Sequence, residues 1–186
     1  MPTEFGKFKI LAYAADSDSL IPHIVLLSSE FDPSQVAYVR IHSECMTGDI
    51  FGSYRCDCGA QLQMAMEMAY ENKGMLIYLR QEGRGIGIIN KLKAYNLQED
   101  GLDTVEANTH LGFEADERIY QDALDILSDL GVSKIHLITN NPSKVKAFEN
   151  SDIEVVSRVP LMIPPRAENL KYYQTKKDVM GHSLDW

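Results

Sequence analysis

GMLIYLRQEGRGIGIINKLKAYNLQED, residues 74–100, reads in three phases. GMLIYLR is an apolar run of the length of a buried strand. QEGRGIG breaks it with three glycines, and IINKLKAYNLQED continues as a helix. Strand, glycine-rich turn, helix belongs to an α/β protein, and it is an order in which phosphate sites are often built. Taken alone the turn is weak evidence, because a connection of this kind needs no ligand. Arg80, Arg84 and Lys91 surround it with charge that a plain turn does not require. Arg84 can fork two oxygens of a phosphate, and Gly85 and Gly87 let backbone N–H groups approach it.

On either side of this stretch, short apolar or alternating runs predict strands at 5–11, 22–28, 36–42, 134–139 and 153–159, with 74–80 as the sixth. Leu62, Ala65, Met66 and Ala69 give 59–72 one apolar helical face, on which Met64, Met66 and Met68 read as packing. A second helix is predicted from Asp116, with Ile119, Ala123, Ile126, Leu127 and Leu130 on one face and Gly131 as its C-cap. Asn140, Asn141 and Pro142 form a turn before a short helix. The expectation is one mixed α/β domain over 1–186, a mixed β-sheet flanked by helices. From about residue 165 a charged, weakly periodic tail is expected, loosely held or ordered only by a partner.

At 186 residues the chain can bury a core without needing metal to fold. No apolar stretch approaches a membrane span, so a cytoplasmic protein is expected. A net charge of −9 with pI near 5.0 argues against an extended nucleic-acid surface. A phosphorylated ligand must therefore be small and met by a local basic pocket.

Cys45, Cys56 and Cys58 are the three cysteines of the chain, spaced C-x10-C-x-C. An odd count with no signal peptide argues against a disulfide framework, and clustered thiolates prefer zinc. A structural zinc takes four protein ligands, whereas a catalytic one keeps three and leaves a position open. Three cysteines thus point to a working metal in the N-terminal third. The alternatives are a structural site completed by His42 or His110, or three unrelated buried thiols.

Asp116, just before an amphipathic run, reads as an N-cap. Arg118 fits that reading badly, since a cation in the first helical turn costs roughly 0.3–1 kcal/mol against the macrodipole unless an anion compensates. A bound phosphate would do so. Lys144 invites the same argument, with a solvated lysine as the plain alternative. By spacing alone Tyr95 reads as core packing, although its i+4 relation to Lys91 allows a place in a site.

Together HSECMTGDIFGSYRCDCG (42–59), LRQEGRGIG (79–87), TVEAN (104–108), LGFEADER (111–118) and TNNPSK (139–144) closely resemble GTP cyclohydrolase II, across about residues 36–184. The resemblance implies the stand-alone form, with no fused dihydroxybutanone phosphate synthase domain. It implies hydrolysis of GTP at two places: guanine is opened at C8, which leaves as formate, and the triphosphate is cut to release pyrophosphate. It assigns one zinc per chain to Cys45, Cys56 and Cys58, and Mg2+ to the triphosphate. Substrate contacts carry over onto Arg40, Ile41, His42, Ser43, Glu44, Gln61, Glu82, Gly83, Arg84, Thr104, Thr139 and Lys144. Among these, Glu82 suits guanine, and Arg40, Arg84 and Lys144 suit phosphates. Three thiolates blunt the acidification of a zinc-bound water, and Glu44, His42 and Tyr95 are the candidates to offset this.

Catalytic roles fall on Asp116 as proton acceptor, on Arg118 at the α-phosphate, and on Tyr95, whose presence accompanies complete release of formate. A guanidinium is a poor nucleophile, so charge stabilisation is the simpler role for Arg118. A homodimer acting in the cytoplasm, with no nucleic acid or membrane partner, completes the expectation. The competing readings are an enzyme of the same fold that stops at the formamidopyrimidine, and a zinc-stabilised nucleotide-binding module without turnover.

Overall fold

The computed structural model describes residues 1–183. Its strands are β1 (Pro2–Thr3), β2 (Gly6–Tyr13), β3 (His23–Ser28), β4 (Ala37–Ser43), β5 (Met75–Leu79), β6 (Lys134–Ile138) and β7 (Glu154–Val159). Its α-helices are α1 (Met46–Asp49), α2 (Cys58–Glu71), α3 (Gly87–Glu99), α4 (Thr104–His110), α5 (Gln121–Asp129), α6 (Pro142–Lys146) and α7 (Leu170–Gln174). The strands lie in the order β1-β2-β3-β5-β4-β6-β7. Pairing is antiparallel from β1 through β2 and β3 to β5, and parallel from β4 through β6 to β7. The expected mixed α/β class is therefore the one found.

The chain partitions into two compact units. One comprises residues 1–42, 61–80 and 120–162; the other comprises 43–60, 81–119 and 163–186. The first carries the core. Because successive strand residues point to opposite faces, Val25 and Leu27, Ala37, Val39 and Ile41, Met75, Ile77 and Leu79, and Ile135 and Leu137 all share one buried cluster. Helix α5 adds Ala123, Ile126 and Leu127 to it. Each of these side chains larger than alanine contributes roughly 1.5–3 kcal/mol by leaving water. Helix α5 stops in a Schellman turn: the Val132 N–H donates to the Leu127 carbonyl (2.9 Å) and that of Gly131 to Ser128 (3.0 Å), as a C-cap at Gly131 requires. Asn141 caps α6 by accepting from the Ser143 N–H at 2.9 Å, with Pro142 at the first helical position.

The second unit holds the cysteines, the glycine turn, α1, α3, α4 and the C-terminal segment. One expectation fails here. Helix α5 begins at Gln121 with Tyr120 as its N-cap residue, so Asp116 caps nothing and Arg118 does not sit in a first helical turn. The reason is local: the Asp116 carboxylate accepts from the Arg118 guanidinium and backbone, which leaves 115–120 irregular. The conflict between Arg118 and a macrodipole accordingly does not arise. Where a loosely held tail is expected, the structure has a 3-10 turn at Ala167–Asn169, α7, and a π-helical turn at Thr175–Val179, with Asn169, Tyr173, Thr175 and Lys176 buried.

Candidate metal centre and the motifs around it

Cys45 caps the start of α1, its N–H donating to the Asp49 carboxylate at 2.9 Å, and Cys58 opens α2. The sulfurs of Cys45, Cys56 and Cys58 all lie within 4.8 Å of one another. Two thiolates bound at about 2.3 Å to one tetrahedral zinc stand about 3.8 Å apart. Those of Cys45 and Cys56 are 3.7 Å apart, so this pair already has the separation that the ion demands. Gly48 makes room for it: a Cβ there would sit 2.9 Å from the Cys56 sulfur and 3.2 Å from that of Cys45. Among the described residues neither His42 nor His110 joins this group.

The three sulfurs share their protons unevenly. Hydrogen bonds from Cys56 and Cys58, aided by the Lys91 charge, hold Cys45 far below an ordinary thiol. In turn Cys45 pushes Cys56 up to about 11. Ligation of a divalent ion needs all three as thiolates and would release the protons that they hold.

The glycine turn closes on this cluster. Residues Glu82–Gly85 form a 3-10 turn in which Gly83 and Arg84 both take φ of 63°, an unusual backbone for arginine. Buried Glu82 accepts from the Met46 N–H (2.6 Å), from the Gly83 N–H (2.7 Å) and from Lys91 Nζ (2.8 Å). Lys91 also donates to the Cys45 sulfur at 3.1 Å. Burial opposes its charge, but Cys45 and Glu82 outweigh that and raise its pKa above that of an ordinary lysine. The carboxylate expected to read guanine is therefore engaged by three donors from its own unit.

On its other side the turn is stitched to EADER. The Glu117 N–H donates to the Arg84 carbonyl at 3.0 Å, and the Arg84 guanidinium reaches the Ala115 carbonyl at 3.4 Å. The approach requires glycine at 85, where a Cβ would lie 2.9 Å from that of Glu117. Beside it, Arg118 donates through Nε (2.7 Å) and Nη2 (2.5 Å) to the two oxygens of Asp116. Burial works against the Asp116 carboxylate, yet the paired guanidinium prevails and holds its pKa below the usual range. The pair is a fork of the kind that fixes a guanidinium in one orientation.

Tyr95, on α3, lies closer to the cysteine cluster than its spacing suggests. Its hydroxyl is 3.3 Å from the Thr47 hydroxyl, which is 3.7 Å from the Cys45 sulfur, and the Arg55 guanidinium lies 4.8 Å from its ring centroid. Burial raises its pKa. Ser43 accepts from the Gln81 side chain at 2.9 Å, and Glu44 links it to Cys45. Thr104 opens α4, which a capping box between Asp103 and Glu106 fixes in place. Two neighbours of the cluster escape the motif reading. Lys91 shows in the sequence only as charge near the turn and as the i+4 neighbour of Tyr95, and Thr47 carries no signal of its own.

The remaining expected contacts lie in the sheet unit. Arg40 donates to the Gln61 side chain (2.6 Å) and to the Ile138 carbonyl (3.1 Å). Lys144 is buried and donates to the Ile41 carbonyl at 2.6 Å, so it is not a solvated lysine. The His42 ring stacks on Tyr78 with centroids 5.5 Å apart, and the Thr139 hydroxyl accepts from the Asn141 N–H at 3.0 Å. Arg40 and Gln61 are thus brought together, as are Ile41 and Lys144.

No helix among the described residues is long and apolar enough to cross a membrane. Compared with known proteins, the chain is 50% identical over 186 residues to proteins named riboflavin biosynthesis protein RibBA from Bacillus cereus, Bacillus cytotoxicus and Bacillus mycoides. Those alignments cover 100% of this chain and 47% of each relative, so the chain spans about half the length of the curated relatives it matches. The profile of GTP cyclohydrolase II matches residues 1–160. With its cysteine cluster, glycine turn and Asp116–Arg118 pair gathered in one unit, the chain belongs to the GTP cyclohydrolase II family.

Proposed function

We propose that the chain hydrolyses GTP, with zinc, to 2,5-diamino-6-hydroxy-4-(5-phosphoribosylamino)pyrimidine, formate and pyrophosphate, the first step of riboflavin biosynthesis. The observation that carries this reading is the cluster of three sulfurs joined through Lys91 and Glu82 to the turn that holds the Asp116–Arg118 segment. Zinc on Cys45, Cys56 and Cys58 would supply Lewis acidity that makes hydroxide available at neutral pH for attack on C8 of guanine.

The chain's own groups divide the rest of the work. Tyr95, beside Thr47, is placed to handle a proton at the opened ring, so that the formyl carbon leaves as formate instead of remaining as formamide. Arg118, held by Asp116, stabilises charge at the α-phosphate while pyrophosphate departs. Asp116, whose pKa the paired guanidinium lowers, is an anion that both orients Arg118 and serves as the proton acceptor that the resemblance assigns. The Glu82–Gly85 turn offers Arg84 and backbone N–H groups to the nucleotide, while Glu82 keeps Lys91 in place. Ser43, Glu44, Glu82, Gly83, Thr104 and, in the sheet unit, Arg40, Ile41, His42, Gln61, Thr139 and Lys144 remain assigned to GTP by resemblance. Mg2+ accompanies the triphosphate. A cytoplasmic homodimer is part of the same proposal.

The test is incubation of the zinc-loaded protein with GTP and Mg2+, following formate and pyrophosphate separately beside a Cys56→Ser variant. Release of both by the wild type, with formate lost in the variant, supports the reading. Pyrophosphate alone would favour an enzyme that stops at the formamidopyrimidine, and neither product would favour a binding module.

A further inference from the structure

Lys91 is not among the residues that the resemblance names as ligand, substrate contact or catalyst, yet it makes the most direct contact with the metal cluster. Its Nζ stands 3.1 Å from the Cys45 sulfur and 2.8 Å from Glu82 Oε1, with the side chain 12% exposed. It also lies 5.8 Å from the Tyr95 ring centroid. The ammonium does not reach the sulfur by chance. Its carboxylate partner is held in turn by the Met46 and Gly83 N–H groups, which come from the helix after Cys45 and from the glycine turn.

Charge accounting gives this arrangement a purpose. Three thiolates on a divalent ion leave a formal charge of −1, and strong donation from sulfur weakens the ion as an electrophile. We propose that Lys91 is a positioning residue of the metal centre: held by Glu82, it donates a charge-assisted N–H to the Cys45 thiolate and so offsets the excess charge on that sulfur. A charge-assisted N–H···S bond draws electron density from the sulfur and so restores acidity to the ion. A lysine serving only as counter-ion to Glu82 would have no need to touch Cys45. The inference rests on reading the cluster as a zinc centre.

The test compares Lys91→Met, Lys91→Arg and the double variant Lys91→Met/Glu82→Gln, which removes the cation without stranding a buried carboxylate. Zinc affinity is measured by competition with a chromophoric chelator. The thiolate-to-metal charge-transfer band is recorded after loading with Co2+. The expected result is a zinc dissociation constant raised about 10–100-fold in Lys91→Met and in the double variant. Their cobalt band should move to lower energy, because a thiolate without its donor is more electron-rich, and Lys91→Arg should recover much of both. Formate release by Lys91→Met should fall further than pyrophosphate release. If the double variant binds zinc and absorbs as the wild type does, Lys91 serves Glu82 alone and the inference is overturned. If the wild type itself takes up neither metal, the zinc reading fails, and the inference with it.

Discussion

Lys176, in the π-helical turn near the C-terminus, donates through Nζ to Asp57 Oδ1 at 2.6 Å, and Asp57 is the residue between two of the clustered cysteines. Both side chains are buried, and the ammonium also lies 4.4 Å from the Tyr172 ring centroid. The C-terminal segment therefore grips the loop that presents Cys56 and Cys58.

Breaking this pair from one side removes the counter-ion from a buried charge, which typically costs about 3–5 kcal/mol. Lys176→Met should lower the stability of the zinc-loaded protein by that order in urea titration. Adding Asp57→Asn should return much of the loss. If the loss in the double variant equalled the sum of those in Lys176→Met and Asp57→Asn alone, the pair would have no energetic coupling.

Gly48→Ala tests the cradle around the sulfurs. Its added methyl would press on Cys56 and Cys58. Zinc affinity should drop at least about tenfold, while far-ultraviolet circular dichroism keeps the wild-type shape.

Tyr95→Phe removes the hydroxyl beside Thr47 and keeps the ring. The ratio of formate to pyrophosphate should fall well below that of the wild type, with a formamidopyrimidine accumulating in the product chromatogram. An unchanged ratio would remove Tyr95 from the chemistry.

Arg118→Ala should slow pyrophosphate release about 100–1,000-fold, the usual effect of losing one preorganised charge-stabilising donor. The pH dependence follows from Asp116. Its pKa is lower in the folded protein than the roughly 3.9 of an unfolded chain. The stability it contributes is therefore full above about pH 4 and is lost as pH falls through the folded value. Acid titration of wild type against Asp116→Asn should diverge above that value and converge below it.

Much of the sheet was legible because burial writes itself into short apolar runs: the six expected strands each coincide within two residues of β2 to β7. Helices α2 and α3 followed from periodicity and from the glycine turn. The start of α5 did not, since Asp116 could be a cap or an ion-pair partner, and only the fold shows that Arg118 claims it. Helix α4 went unnoticed although Asp103 and Glu106 spell a capping box. The cysteine cluster was readable from composition and spacing. Its nearest supports were not, because Lys91 and Lys176 reach Cys45 and Asp57 across 46 and 119 positions of sequence, a relation that no local pattern encodes.

The alternation of six segments between the two units has a practical meaning for anyone handling the gene. No single cut yields the cysteine-bearing unit free of the other, because its first two stretches are each tethered at both ends to strands or helices of the other. A deletion series would read as total loss at almost every point, and would locate nothing. Point substitutions, and not truncations, are the instrument that this topology permits.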